Sequence, residues 1–440
     1  MTILTPTPST PDGQPVELDS TGKPEHRITD LVITPIAFRD PALLNSIGVH
    51  EPLALRTIVQ LVVADGSVIG LGEGSGEREV LDRLEVVRPA VLGLSVFDLN
   101  GIEAAINTAL GGDDGGLTRI QRRVVYSIID VACHDAQGRI IGVPVSELLG
   151  GAVRTEVPYS AYLFYKWAGH PAADGSTADD EWGAALDPAG IVKQARQLID
   201  EYGFGSIKLK AGVFPPEQEI AAIRALAQAF PDLPLRIDPN GAWTVETSLM
   251  VADELRDVLQ YLEDPTLTLD GMSAVAESAG IPLATNMCVV AFEQIKEALE
   301  KNAVQIILSD HHYWGGLRHT RELGAICDTL GIGLSMHSNS HLGISLAAMT
   351  HVAAASPTLT YACDTHYPWN HTDEIVKPGV LAIRDGSVAV PTGPGLGVEL
   401  DLEALERQHR VYVESGRTTR EDTVYMRSID PDYDPTLPRF

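Results

Sequence analysis

The chain of 440 residues has only four cysteines, at 133, 288, 327 and 363, and none forms a C-x-x-C pair. That excludes a disulfide framework and a cysteine-based zinc ribbon, and it suits a reducing compartment. No apolar run approaches the roughly 18 residues needed to span a bilayer, so no membrane is expected. Positive charge is scarce as well: 32 Lys and Arg stand against 60 Asp and Glu, a net charge of −28. Nucleic acid is therefore excluded as a general partner, since phosphates need basic neutralisation. An anionic ligand would need locally placed cations. G-x-S-x-G and H-E-x-x-H are both missing, which removes the usual serine-hydrolase and zinc-protease arguments.

What is present is a large apolar fraction, 44% of residues, enough for a substantial core. Residues 1–27, with Pro6, Pro8, Pro11 and Pro15 among Thr, Ser and Asp, read as a disordered tail without signal-peptide character. The cytoplasm is the expected location. From 28 to 76 the pattern is strand-like, with apolar stretches at 31–37 and 58–63 and a tight-turn dipeptide at Asp65-Gly66. Helical patterns follow at 79–91, 97–110 and 119–139, the last with an apolar stripe at Val124, Ile128, Val131 and Ala132. This first unit, 28–150, reads as a small α+β domain. The glycines at 70, 72, 74 and 76 lack a surrounding dinucleotide-binding unit, so the spacing predicts a flexible loop.

From 151 onward the chain becomes rhythmic. Apolar segments end at Tyr162, Lys210, Asp238, Glu263, Asn286, Asp310, His337 and His366, and after Lys210 the steps are 23 to 29 residues. Helical windows at 191–202, 217–230, 292–301 and 317–330 lie between them. Repeated strand-plus-helix units of this length predict an α/β fold: a closed (β/α)8-type barrel over 151–378, with a polar stretch at 166–187 over its mouth. A hairpin at Asp385-Gly386 and a helix at 402–413 would return residues 379–440 to the first domain.

Active groups of parallel barrels sit at the carboxyl ends of strands. The chain has eight lysines, and two of them, Lys208 and Lys210, share one face of a barrel strand. Asp238, Glu263 and Asn286 end three consecutive strands and offer oxygen atoms only, a donor set for a hard ion such as Mg²⁺. Asp310 and His337 end neighbouring strands, where a carboxylate can orient an imidazole. The histidines at 311, 312, 337 and 341 raise zinc as an alternative, which the oxygen set disfavours. Together these groups could remove a proton from the carbon next to a carboxylate, a weak acid whose anion becomes accessible beside a bound cation. A lysine base must shed its own charge first, which a neighbouring ammonium and a cation favour.

On these motifs the chain resembles the enolase superfamily and, within its mandelate-racemase-like subgroup, the glucarate dehydratases. The strings are Ser206-Ile207-Lys208-Leu209-Lys210, Asp238-Pro239-Asn240-Gly241-Ala242-Trp243, Glu263-Asp264-Pro265, Ala284-Thr285-Asn286-Met287 and His337-Ser338-Asn339-Ser340-His341. Segments 350–355 and Asp364-Thr365-His366 are similar too, so the likeness runs from about residue 28 nearly to the end. It implies an α+β capping domain on a modified barrel and one Mg²⁺ held by Asp238, Glu263 and Asn286. It also implies two opposed bases, Lys210 and His337 (the latter paired with Asp310), with Lys208 and Asn240 at the oxygens of the ene-diolate. Asn45, His50, Tyr162, His366 and Arg420 match substrate contacts. The implied substrate is a diacid sugar, D-glucarate with L-idarate, and a homo-oligomer is expected. The chain departs from the family pattern at Ala211-Gly212, where Gly-Gly is usual, and at His311-His312, where Pro-His is usual. Residues 111–119 do not reproduce the family's threonine-bearing specificity loop. Dehydration or epimerisation of another acid sugar, and a non-catalytic acid-sugar-binding protein, remain the alternatives.

Overall fold

The computed structural model describes residues 23–172 and 176–440; of the tail expected at 1–27, residues 1–22 lie outside them, whereas 23–27 belong to the folded chain, with Arg27 bridging Ser95. Pro24–His26 forms a short 3₁₀ turn whose His26 ring packs 4.7 Å from the Phe97 ring. Strands Ile28–Arg39, Leu53–Val63 and Val68–Ser75 then form an antiparallel sheet in chain order. Three helices follow, Arg78–Val91, Leu99–Ala109 and Arg119–Ile141. The last begins at a reciprocal Thr118/Gln121 capping box and ends at Gly142, which adopts the left-handed conformation (φ 78°) a helix stop requires. Most of this helix is buried, because it lies against the sheet on one side and the barrel's helix Gly316–Leu330 on another.

The glycine-rich stretch is part of a strand, which corrects the loop expected there. Gly70, Gly72 and Gly74 alternate along Val68–Ser75, so all three face the helix Arg119–Ile141. A Cβ at Gly70 would meet the Ala132 carbonyl oxygen at 2.0 Å, and one at Gly72 the Ile128 carbonyl oxygen at 2.3 Å. The missing side chains let strand and helix backbones touch, a demand of packing rather than of turn chemistry.

The second sheet has seven parallel strands in sequential order: Ala161–Phe164, Ile207–Lys210, Leu235–Asp238, Leu259–Glu263, Leu283–Thr285, Ile306–Ser309 and Gly333–Met336. Their sequences are short apolar runs, as strands covered on the outside by helices should be. The eighth strand, expected to end at His366, is not a regular strand. Leu359 bridges Leu334 and Cys363 bridges Tyr159, so the segment touches its two neighbours at different residues and no continuous ladder forms. Cys363 still donates its N–H to the Pro158 carbonyl and Ser160 to that of Cys363, which closes the ring. Strand register places Tyr162, Lys208 and Arg236 in one interior layer and Phe164, Lys210 and Asp238 in the next.

Beyond the barrel, Ile383–Arg384 and Ser387–Ala389 form the hairpin predicted at Asp385-Gly386 and pair with Glu156–Pro158. Helix Leu402–Ser415 lies on the first sheet, where the His409 ring meets the Pro35 carbonyl at 2.7 Å. The final residues return to the barrel mouth, with Arg439 and Phe440 donating to the Ala242 carbonyl. All four cysteines are buried and unpaired, and among the described residues no helix is long and apolar enough to cross a membrane.

The close approach at Gly72 makes a specific demand. A Gly72→Ala substitution forces the sheet off the helix and should lower stability by about 1–3 kcal/mol, read as a fall in the denaturation midpoint at unchanged slope. Substituting Gly205, whose Cβ would meet nothing and whose φ lies outside the left-handed region, serves as the control for added volume.

Candidate active site

The barrel mouth and the first domain together enclose a cavity of about 710 Å³. Of the residues singled out from sequence, Lys210, Asn240, Asn286, His337, Tyr162 and His366 line it from the barrel. Asn45 and His50 line it from the cap, and Arg420 from the loop before helix Asp422–Ile429.

Lys208, Asp238, Glu263 and Asp310 lie beneath or behind that wall. The Lys208 ammonium, fully buried, stands 2.7 Å from Glu263 and from Asp364 and 3.4 Å from Asp238, with the Tyr162 ring 4.7 Å away. Burial alone would discharge this lysine, but the surrounding carboxylates hold its proton affinity well above the ordinary lysine range. The Lys208 ammonium is thus engaged by the carboxylate cluster and does not reach the cavity wall. Lys210 donates to Asp238 Oδ2 and Asn240 Oδ1, each at 2.7 Å. Asp238 is held down at about 2: burial raises it, and the charges of Lys210 and Lys208 outweigh that.

Glu263 is pushed well up, chiefly by burial, with the charges of Asp238 and Asp364 adding to it against Lys208. Its Oε1 accepts from the Asn286 side-chain amide at 2.9 Å and from Lys208 Nζ at 2.7 Å, and its Oε2 also lies 2.7 Å from that ammonium. Asp264, at the left-handed φ of 37°, accepts from Thr285 Oγ1 and the Asn286 N–H, which anchors the Asn286 turn. Burial and the charge of Asp238 push this carboxyl up to about 6. Four buried carboxylates, Asp238, Glu263, Asp264 and Asp364, stand against two lysines, and with the Asn286 amide at the cavity wall they offer oxygen donors only, a set that fits a hard divalent cation.

Asp310 is the second organising carboxylate. Its Oδ1 accepts from the His312 N–H at 2.9 Å and from His312 Nδ1 at 2.7 Å. Its Oδ2 faces His337 Nδ1 at 3.2 Å and accepts from Asn339 Nδ2 at 3.1 Å. The two imidazoles outweigh the effect of burial and hold Asp310 well below the usual carboxylate range. With Nδ1 so engaged, His337 keeps Nε2 for the cavity. Glu219 supports the lysine side: fully buried, it accepts from the N–H groups of Gly212, Val213 and Phe214, fixing the loop that follows Lys210.

Arg420 does not present a free guanidinium. It donates to Asp40 Oδ2 at 2.8 Å and pairs with both oxygens of Asp422 at 2.8 and 3.0 Å. His50 also shares Asp40, at 3.1 Å, and Asn45 donates to Asp422 at 3.1 Å. Asp40, Asp422, Arg56 and the His312 contact were not singled out from sequence, and Asp364 stood there only within a matching motif, without a role. Asp422 could have been suspected from its place two residues after Arg420. The others come from strands or loops hundreds of residues from their partners, and only the fold joins them.

The family described as Enolase C-terminal domain-like matches residues 190–405. The chain is 54% identical to a "Probable glucarate dehydratase" of Streptomyces coelicolor, over 94% of this chain and 99% of that protein. A crystal structure of an enolase from Mycobacterium smegmatis complexed with tartrate superposes with a TM-score of 0.91 at 59% identity, covering 94% of this chain and 98% of that one. One from Gibberella zeae, complexed with magnesium, formate and sulfate, gives 0.91 at 53% identity, covering 95% and 98%. The chain belongs to the enolase superfamily. Within it, this is a hydro-lyase of the glucarate dehydratase-like kind.

Asp310→Asn keeps the shape of the His337 support but removes the charge. Turnover should fall by about 10²–10⁴-fold with a near-native circular dichroism spectrum; a loss of less than threefold would show that His337 does not depend on this carboxylate.

Proposed function

We propose that the chain is a Mg²⁺-dependent dehydratase of D-glucarate, and of its epimer L-idarate, releasing water and 5-dehydro-4-deoxy-D-glucarate. The observation that carries this reading is the pair Lys210 and His337, which enter one cavity from strands separated by four others in the sheet order. Two bases on opposite walls can each take the proton from one of two epimers. Asp238, Glu263 and Asn286 would hold the ion, whose charge lowers the cost of the negative charge that builds on the substrate carboxylate.

The chain's own residues account for the remaining steps. Lys210 or His337 removes the proton on the carbon beside the carboxylate, breaking the C–H bond. Asn240, at the cavity wall, is placed to donate to the ene-diolate oxygens. The β C–O bond then breaks as the leaving oxygen takes a proton from His337, and water departs. When His337 has itself taken the carbon proton, it returns that proton to the hydroxyl. When Lys210 has done so, His337 must begin protonated, with Asp310 3.2 Å from its Nδ1 as the facing carboxylate. The resulting enol tautomerises to the keto acid. His50, Tyr162, His366, Asn45 and Arg420 would contact the rest of the sugar. Residues 28–150 act as the cap, 151–378 as the barrel and 379–440 as the segment that completes the cap. We place the enzyme in the cytoplasm, where four buried free thiols are at home, and as a homo-oligomer.

A second reading, dehydration or epimerisation of another acid sugar, is favoured by one observation. At the distal end of the cavity Asp40 and Asp422 both claim Arg420, so two carboxylates face one guanidinium. A sugar acid ending in a hydroxyl also suits that environment.

Assaying acid sugars for 2-keto acid product distinguishes the readings. D-glucarate and L-idarate should be turned over with Mg²⁺, gluconate much more slowly, and a chelator should abolish all activity until Mg²⁺ is restored. Equal rates for mono-acids and diacids would favour the second reading, and restoration by Zn²⁺ alone would remove the ion site described. Base assignment is read separately, from hydrogen exchange at the reacting carbon in heavy water. Lys210→Ala should stop exchange of one epimer and His337→Gln that of the other; continued exchange of both in either variant would sink the two-base mechanism.

A further inference from the structure

Arg56 lies mid-strand in the cap, in Leu53–Val63, yet its guanidinium reaches the barrel's second histidine. Its Nε donates to Glu73 Oε1 at 3.1 Å, and Glu73 in turn accepts from the N–H groups of Leu342 and Ser345, so the arginine is clamped. From that clamp, Arg56 Nη2 points at His312 Nε2 at 2.9 Å, with Ser345 Oγ 3.1 Å from the same nitrogen. A guanidinium has donors only. His312 Nε2 must therefore accept, and the single ring proton sits on Nδ1, where it is donated to Asp310 Oδ1 at 2.7 Å.

That tautomer matters because Asp310 serves two imidazoles. If His312 bound a second proton, it would become the ion-pair partner of Asp310, and His337 would lose most of the charge that makes it a base. A proton on Nε2 would instead point at Arg56, which forbids it. Resting on the reading of His337 as a base, we propose that Arg56 is a positioning residue: by occupying His312 Nε2 it fixes the Nδ1–H tautomer and reserves the Asp310 charge for His337. A cap residue would thereby set the strength of a barrel base.

The same geometry disposes of a competing use of these side chains. Asp310, His311 and His312 can each bring one ligand atom within 4.8 Å of the others. A cation there would stand beside Arg56 and would have to break both bonds of His312, so the group is a hydrogen-bond relay. The charged and titratable groups facing His312 are Arg56, Asp310, the His311 ring at 4.0 Å and, behind Arg56, Glu73 and His341. Burial keeps His311 well below the ordinary histidine range. Asp310, Asp238 and His366 are the groups acting on His337.

Two measurements test the relay. Ring ¹⁵N shifts of selectively labelled histidines, with His312 assigned by His312→Gln, need no substrate. In the wild type His312 should be the Nδ1–H tautomer at pH 7, as the relay requires, and in Arg56→Met a doubly protonated or Nε2–H ring should appear beside it. A wild-type Nε2–H tautomer, or the same ring shifts in both proteins, overturns the proposal. In the exchange assay, Arg56→Met should slow the His337-served epimer at pH 7 by about tenfold or more relative to the Lys210-served one. Adding His312→Gln, which cannot take a second proton, should restore most of the difference. Equal loss on both epimers overturns the proposal, since it marks Arg56 as a general structural or substrate contact. Because Arg56→Met strands the Glu73 carboxylate, Arg56→Met/Glu73→Gln is the second variant, with the same outcomes expected. If the wild type exchanges no acid sugar, the assignment of function falls, and the ring shifts still decide the tautomer.

Discussion

The rest of the structure depends on burying charge in the middle of a barrel. Lys208 has no exposure, and three carboxylates, Asp238, Glu263 and Asp364, lie within 3.4 Å of it. Moving one such ion out of water costs several kcal/mol, and leaving any member unpaired would cost more than the fold can spare. The cluster is held because strand register puts Lys208 beside Tyr162 and Lys210 beside Asp238, two residues up the wall. Its negative excess, three carboxylates around one ammonium, suits the cavity floor to a divalent cation.

The histidine side is organised on the same principle but from further away. Asp310 accepts from His312 and Asn339 and orients His337, while Arg56 and Glu73 of the cap hold the far end of the chain of bonds. The two domains are therefore joined by a polar relay as well as by apolar packing. Glycines at 70, 72 and 74 contribute to that union indirectly, because they let the long helix sit directly on the sheet that carries Arg56 and Glu73. Arg420 follows the same logic at the distal end, held between Asp40 and Asp422, so what it offers a ligand is shaped by its partners.

Much of this was legible in the sequence, for a physical reason. A strand-plus-helix period of 23 to 29 residues is a geometric repeat, and residues that end such strands converge whatever the loops do. Lys210, Asn286 and His337 reach the cavity on that account, and Asp238, Glu263 and Asp310 gather just beneath it. The donor types alone pointed to a hard ion and to proton transfer, because carboxylate, amide and imidazole chemistry does not depend on fold. Seven of the eight strands form at the expected places, since each is a short apolar run bounded by turn residues.

What the tertiary structure decided are the pairings that link residues far apart in the chain. Arg56 meets His312, Asp40 meets Arg420 and Lys208 meets Asp364 across 256, 380 and 156 positions, and no local pattern encodes such contacts. The eighth strand dissolved into two bridges because its residues meet neighbours out of step, a property of ring closure and not of hydropathy. The glycine run turned from a loop into a strand because only the packed helix shows why a side chain there is impossible. Residue type and period determine which groups a barrel brings to its mouth. Which of those groups are free to act is settled by the partners that packing assigns to them, because a hydrogen bond or ion pair is made at contact distance and sequence separation does not measure that distance.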